Sequence, residues 1–213
     1  MDDPPAIRQP APGALALVQD FVNTAELPGG YDELADVPAT VAWLAARGYE
    51  VAPDEAHQRR LVETREHLRA LIAVNSGQDL APASATRLAR LLDAAAVHPV
   101  VAADGVRLAS TARGADGFLA ALLAALVQAT IDGSFRRLKV CRSDTCQWTF
   151  YDSSKNGCGA WCSMRSCGSR AKAKAYRERR RPEGAAAPDS TPDDVAAPRP
   201  ARARRLRRAL QGG

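Results

Sequence analysis

Five cysteines constrain this 213-residue chain more than any other feature, because all of them lie between positions 141 and 167. Four form two pairs of identical spacing, Cys141-x4-Cys146 and Cys162-x4-Cys167. Zinc prefers four soft or borderline ligands in a tetrahedron, and two chain reversals that each present two thiolates supply them. The pattern therefore predicts one structural zinc ion held by these four cysteines.

Two other interpretations of the cysteines stay open at this level. They could be reduced thiols or a disulfide pair, although the chain starts without the basic and apolar segments of an export signal. Cys158 precedes Cys162 by four positions and could replace it as a ligand, but a plain or redox-sensitive thiol fits the symmetry of the pairs better. Four thiolates close the coordination sphere, so no position remains for an activated water and we expect no catalytic metal.

Charge divides the chain into three parts. Residues 1–134 hold 10 Lys/Arg against 17 Asp/Glu, a net −7, whereas residues 135–181 hold 13 against 3, a net +10. Residues 182–213 hold 6 against 4 and have one Val and two Leu as their large apolar residues. We expect an acidic domain over 1–134, a basic zinc module over 135–181 suited to a polyanion, and a disordered Pro/Ala/Arg-rich tail over 182–213.

The acidic part has the pattern of a mainly helical α+β domain. Segment 15–22 is compatible with a helix or a buried strand. Apolar spacing and capping residues predict helices over about 36–48, 54–75, 83–95 and 115–131. Asp104-Gly105 supplies the turn of a β-hairpin over 97–109. The longest apolar run, 118–127, is about half of what spans a bilayer, so we expect a soluble, cytoplasmic protein.

The zinc module is expected to contain a β-hairpin or knuckle followed by a basic helix over about 163–181. On that helix Arg170, Lys174, Arg177 and Arg181 recur at helical spacing and can follow a phosphate backbone. A solvated basic face is the plainer alternative. Trp148, Phe150 and Trp161 fit the small core of a zinc module better than a base-stacking platform. The candidate nucleic-acid contacts are Ser169, Arg170, Lys172, Lys174, Tyr176, Arg177 and Arg181.

The segment CRSDTCQWTFYDSSKNGCGAWCSMRSCGSRAKAKAYRER, from position 141, resembles the CGNR zinc finger in its paired cysteines, its W-x-F-x-D-x-S core and its W-C-S-M before the last cysteine. DFVNT at 20–24 and WLAARG at 43–48 are similar to the ABATE domain that precedes this finger in bacterial proteins. The resemblance implies a bacterial transcriptional regulator. The signature falls on 167–170, where Ser169 replaces the usual Asn and loses the amide pattern suited to adenine.

These observations favour a DNA-binding regulator in which the zinc module orients the basic helix, and the helical domain forms a homodimer or senses a small-molecule effector. RNA binding is the second hypothesis and a protein-interaction adaptor the third. An enzyme is not expected, because His57, His67 and His98 have no catalytic motif around them.

Overall fold

The computed structural model describes residues 10–103 and 105–180. The predicted disordered tail and Arg181 lie outside these residues. Within them, the chain runs through helices and short antiparallel strand pairs: α1 Leu15–Val22, β1 Ala25–Glu26, β2 Tyr31–Asp32, α2 Val37–Ala45, α3 Glu55–Ala73, α4 Pro82–Ala95, β3 His98–Ala102, β4 Gly105–Ala109, α5 Gly114–Ile131, β5 Leu138–Val140, β6 Thr149–Tyr151 and α6 Ser169–Arg179. The predicted fold class is confirmed.

Local capping defines where the helices begin. Asp36 and Asp54 precede α2 and α3, and each carboxylate accepts a hydrogen bond from a backbone N–H three residues on, at 2.8 Å. These bonds satisfy donors that the first helical turn leaves unpaired. Segment 15–22 forms a helix, because its apolar residues at Leu15, Val18 and Val22 bury one face against the core.

Helix α5 is the central packing element of the helical domain. Phe118 is fully buried, and its ring lies 5.2 Å from that of Phe21 and 5.5 Å from that of Trp43 in edge-on contacts. By length and composition α5 could also cross a membrane, with a mean hydropathy of 1.6 over 18 residues. Half of it is buried inside the protein, which is the pattern of a core helix.

The predicted hairpin between α4 and α5 is confirmed, with β3 and β4 paired in antiparallel register. Val101 lies opposite Val106, and these residues are 88% and 72% exposed. The hairpin therefore presents an apolar pair to solvent.

The short hairpin β5–β6 belongs to the same hydrophobic core as the helices. Leu138 and Val140 are almost fully buried within that core, beside α3. The turn that follows α3 adds polar contacts: Asn75 Nδ2 donates to the carbonyl of Leu138 at 2.9 Å, and Ser76 bonds both the N–H and the C=O of Val140. The first strands of the zinc module are thus seated on the helical domain.

Asn23, just after α1, holds the second strand of this hairpin. Its side-chain amide donates to the Thr149 carbonyl and accepts from the Thr149 N–H, both at 2.8 Å. Arg69 of α3, whose side chain is 5% exposed, donates to the carbonyl of Val22 at 2.7 Å and to that of Gln147 at 3.1 Å. We call Asn23, Arg69, Asn75 and Ser76 the clasp.

Replacing Asn23 with Ala should weaken this seating, because the buried Thr149 N–H loses its side-chain partner. We expect the free energy of unfolding in urea to fall by about 1–3 kcal/mol. Gln78→Ala, which changes an exposed amide side chain, serves as the control and should cost less than about 0.5 kcal/mol. Equal losses for both variants would contradict a holding role for Asn23.

Candidate metal centre

Four cysteine sulfurs meet at one point of the zinc module. The Sγ atoms of Cys141, Cys146, Cys162 and Cys167 all lie within 4.8 Å of one another. Cys146 and Cys162 are 3.6 Å apart, and Cys162 and Cys167 are 3.8 Å apart. A tetrahedral zinc–thiolate site with Zn–S bonds of about 2.3 Å has sulfurs about 3.8 Å apart. A disulfide would need about 2.05 Å, so the spacing fits a metal ion.

The first pair is shaped by a tight turn after β5. The N–H of Cys146 donates to the Ser143 carbonyl at 2.9 Å, and Gln147 then takes a left-handed conformation with φ of 47°. The backbone N–H groups of Ser143 and Trp148 donate to the sulfurs of Cys141 and Cys146. Each of these two ligands is therefore supported by the amide two residues further along.

The second pair is spaced by a π-helical turn, Met164–Gly168. Ser163 caps this turn by accepting from the N–H of Ser166 at 3.3 Å. A Cβ at Gly168 would lie 2.9 Å from Met164 Sδ and 3.4 Å from Trp161 Cδ1, so a side chain there would push against both. The predicted helix from 163 therefore begins later, at Ser169, because the chain first has to bring Cys162 and Cys167 to one point.

The thiols influence one another strongly. Hydrogen bonds from Cys146 and Cys162 lower the pKa of Cys141 to about 2. Interaction with Cys141 raises the pKa of Cys146 to about 12 and raises the pKa of Cys162 as well. Four sulfurs this close cannot all ionise beside one another without a cation, which is the condition that zinc satisfies.

A buried ion pair stabilises the loop between the two pairs. Lys139 Nζ lies 2.9 Å from Asp152 Oδ2, and Asp152 is fully buried. Lys139 also donates to the carbonyl of Gly157, and the N–H of Gly159 donates to Asp152 at 2.7 Å. Burial would raise the pKa of Asp152, but hydrogen bonds from Ser154, Lys139 and Gly159 lower it below its ordinary value.

Two of the three aromatic residues predicted for the small core, Phe150 and Trp161, lie in it, and Trp148 does not. Phe150 is 1% exposed and packs with Cys141 and Cys167, and Trp161 contacts the same cluster. Trp148 is half-buried. Cys158 is exposed and is not part of the sulfur cluster.

The predicted nucleic-acid contacts fall into two groups. Lys172, Lys174 and Arg177 are exposed on α6, and Tyr176 is 51% exposed with Arg180 5.1 Å above its ring. Ser169 and Arg170 are exposed too, and each of them also contacts the zinc module. The Ser169 hydroxyl donates to the Met164 carbonyl at 3.0 Å, and Arg170 Nη2 donates to Cys167 Sγ at 3.2 Å, which raises the pKa of Arg170.

Sequence reasoning missed the clasp and the Lys139–Asp152 pair. Asn23 lies inside the DFVNT match, and Asp152 lies inside W-x-F-x-D-x-S, so both motifs drew attention to the right segments. Neither motif says which partner the side chain reaches. The contact between Asn23 and Thr149 spans 126 positions of sequence.

Substitution of single cysteines should distinguish the four zinc ligands from Cys158. We expect Cys162→Ser to lose most of its zinc, because the hydroxyl is a poor ligand and three thiolates leave the tetrahedron open. Cys158→Ser should keep one zinc per chain, as measured by elemental analysis of the purified full-length protein. Loss of zinc in the Cys158 variant would contradict the assignment.

Comparison with known families agrees with this geometry. Residues 137–180 match the CGNR zinc finger. Residues 15–133 match the ABATE family, described as "Putative stress-induced transcription regulator". No protein of curated function matches the chain. Since the second match covers more than half of the sequence, the chain belongs to the ABATE family, and its CGNR zinc finger provides a single structural zinc site.

Proposed function

We propose that this protein is a transcriptional regulator that binds DNA through α6. The exposure of that helix is the observation that supports this proposal most. It has 11 residues, none of them buried, and it contacts chiefly the π-helical turn before it. Helices this short are marginal in water by themselves, so α6 is suited to gain stability from a partner.

The cations of α6 lie on two of its sides. At about 100° per residue, Lys174 and Arg177 share one side with Arg170, while Lys172 and Arg179 lie on the opposite side. A helix in the major groove has a phosphate backbone on each flank. This two-sided arrangement is therefore suited to a duplex.

The charge of the helical domain also supports α6 as the element that binds DNA. The helical domain is acidic and would be repelled by a polyanion, so the finger is the part that approaches DNA. Because the clasp seats β5–β6 on the helices, the helical domain also sets the direction in which α6 points. We propose that this domain forms a homodimer or senses an effector, and the exposed pair Val101 and Val106 offers a surface for such a contact.

No catalytic role is proposed. The zinc shell is closed by four thiolates, which leaves no position for substrate or water.

A regulator of bacterial DNA works in the cytoplasm, which is where we place this protein.

Charge reversal on α6 should reduce DNA binding. We expect Lys174→Glu with Arg177→Glu to weaken binding to duplex DNA by at least about tenfold and to reduce the slope of log K against log salt by about 2. Zinc content should be unchanged. Fluorescence anisotropy over a salt series measures both quantities.

The matched control reverses two exposed cations of the helical domain, Arg59→Glu with Arg90→Glu, and changes the net charge equally. Its binding should fall by less than that of the α6 variant. Equal losses would show that overall charge, and not α6, governs the interaction.

RNA is the second candidate, because the exposed Tyr176 ring can stack on an unpaired base. Duplex DNA and structured RNA of equal length should be compared at one moderate salt concentration. We expect tighter binding to DNA and, after selection from a random pool, a reproducible duplex motif. Tighter RNA binding without a preferred DNA site would overturn the proposal in favour of RNA.

A further inference from the structure

Arg170 lies against the zinc centre. It is in the first turn of α6, three residues after Cys167, and its Nη2 is 3.2 Å from the Cys167 sulfur. Within residues 10–103 and 105–180, it is the cation whose side chain donates a hydrogen bond to a cysteine sulfur. Its guanidinium therefore belongs to the surroundings of the metal ion as much as to the surface of the helix.

The negative charge of the metal centre makes the hydrogen bond from Arg170 stabilising. Four thiolates around one divalent ion leave two excess negative charges. Backbone amides support Cys141 and Cys146, but they are neutral donors. Hydrogen bonds between an ionised donor and an ionised acceptor are markedly stronger than neutral ones. Arg170 supplies such a bond to Cys167.

The same contact fixes the direction of α6. No residue of this helix is buried, so its attachment depends on the turn that precedes it. The Ser169 hydroxyl binds the Met164 carbonyl, and Arg170 binds the sulfur of the last ligand. Together these two bonds connect the first turn of α6 to the π-helical turn and to the sulfur of Cys167.

We infer that Arg170 is a positioning residue of the zinc centre, which stabilises the Cys167 thiolate and anchors α6. This inference rests on the zinc site and does not depend on the proposed DNA binding. It gives Arg170 a contact that Lys174 and Arg177, which share its side of the helix, do not make among the described residues.

The test compares Arg170→Gln, Arg170→Lys and Lys174→Gln in the full-length protein. Zinc affinity is measured by competition with a chromogenic chelator. Loss of a group that supports a metal ligand typically costs 10–100-fold in affinity, and we expect Arg170→Gln to show a loss of about that size. Arg170→Lys should recover part of it because the charge is kept, and Lys174→Gln should bind zinc like the parent protein.

Replacement of Zn²⁺ by Co²⁺ provides a second measurement, the wavelength of the cobalt–thiolate charge-transfer band. A general loss of stability would not change this wavelength. A hydrogen bond withdraws electron density from sulfur, so its removal should shift the cobalt–thiolate charge-transfer band to longer wavelength in Arg170→Gln and less in Arg170→Lys. An unchanged affinity and band in Arg170→Gln, or an equal loss in Lys174→Gln, would overturn the inference. If the Gln variant does not fold, the band is measured in Arg170→Met, which also lacks the charged donor, and an unshifted band there contradicts the contact.

Discussion

Repulsion among four sulfurs held within 4.8 Å is the constraint on which the rest of the zinc module depends. The apolar cluster around the sulfurs, centred on Phe150, is small, so we expect a bound metal ion to contribute to the folding free energy of this part of the module. Two distant pairs of thiolates have to meet at one ion. This requirement determines the turn after β5, the π-helical turn and the residue at which α6 begins. The arrangement is structural, because its coordination is complete.

The clasp connects this metal-dependent module to a core that needs no metal. Leu138 and Val140 belong to the helical core although they immediately precede Cys141. Arg69 reaches from α3 to the backbone next to Cys146. A part-buried hydrogen bond therefore joins α3 directly to the first zinc turn.

Opposite charges are carried by the two parts of this chain. The acidic helical domain and the cationic α6 are joined through a buried hairpin, so the helix is presented with its cations in solvent. The Arg170 contact refines this arrangement, since one cation of the helix is used to hold it in place. Lys172, Lys174, Arg177 and Arg179 are exposed along the rest of the helix.

Short-range rules of the sequence determined most helices, the hairpin β3–β4 and the four zinc ligands. Asp36 and Asp54 cap their helices through neighbours, and paired cysteines need only two local turns to meet a metal. Tertiary structure alone decided that Asn23 binds Thr149, that Arg69 reaches the carbonyl of Gln147 and that Lys139 pairs with Asp152. Such contacts depend on which surfaces pack together, and periodicity within one segment carries no information about a partner on another.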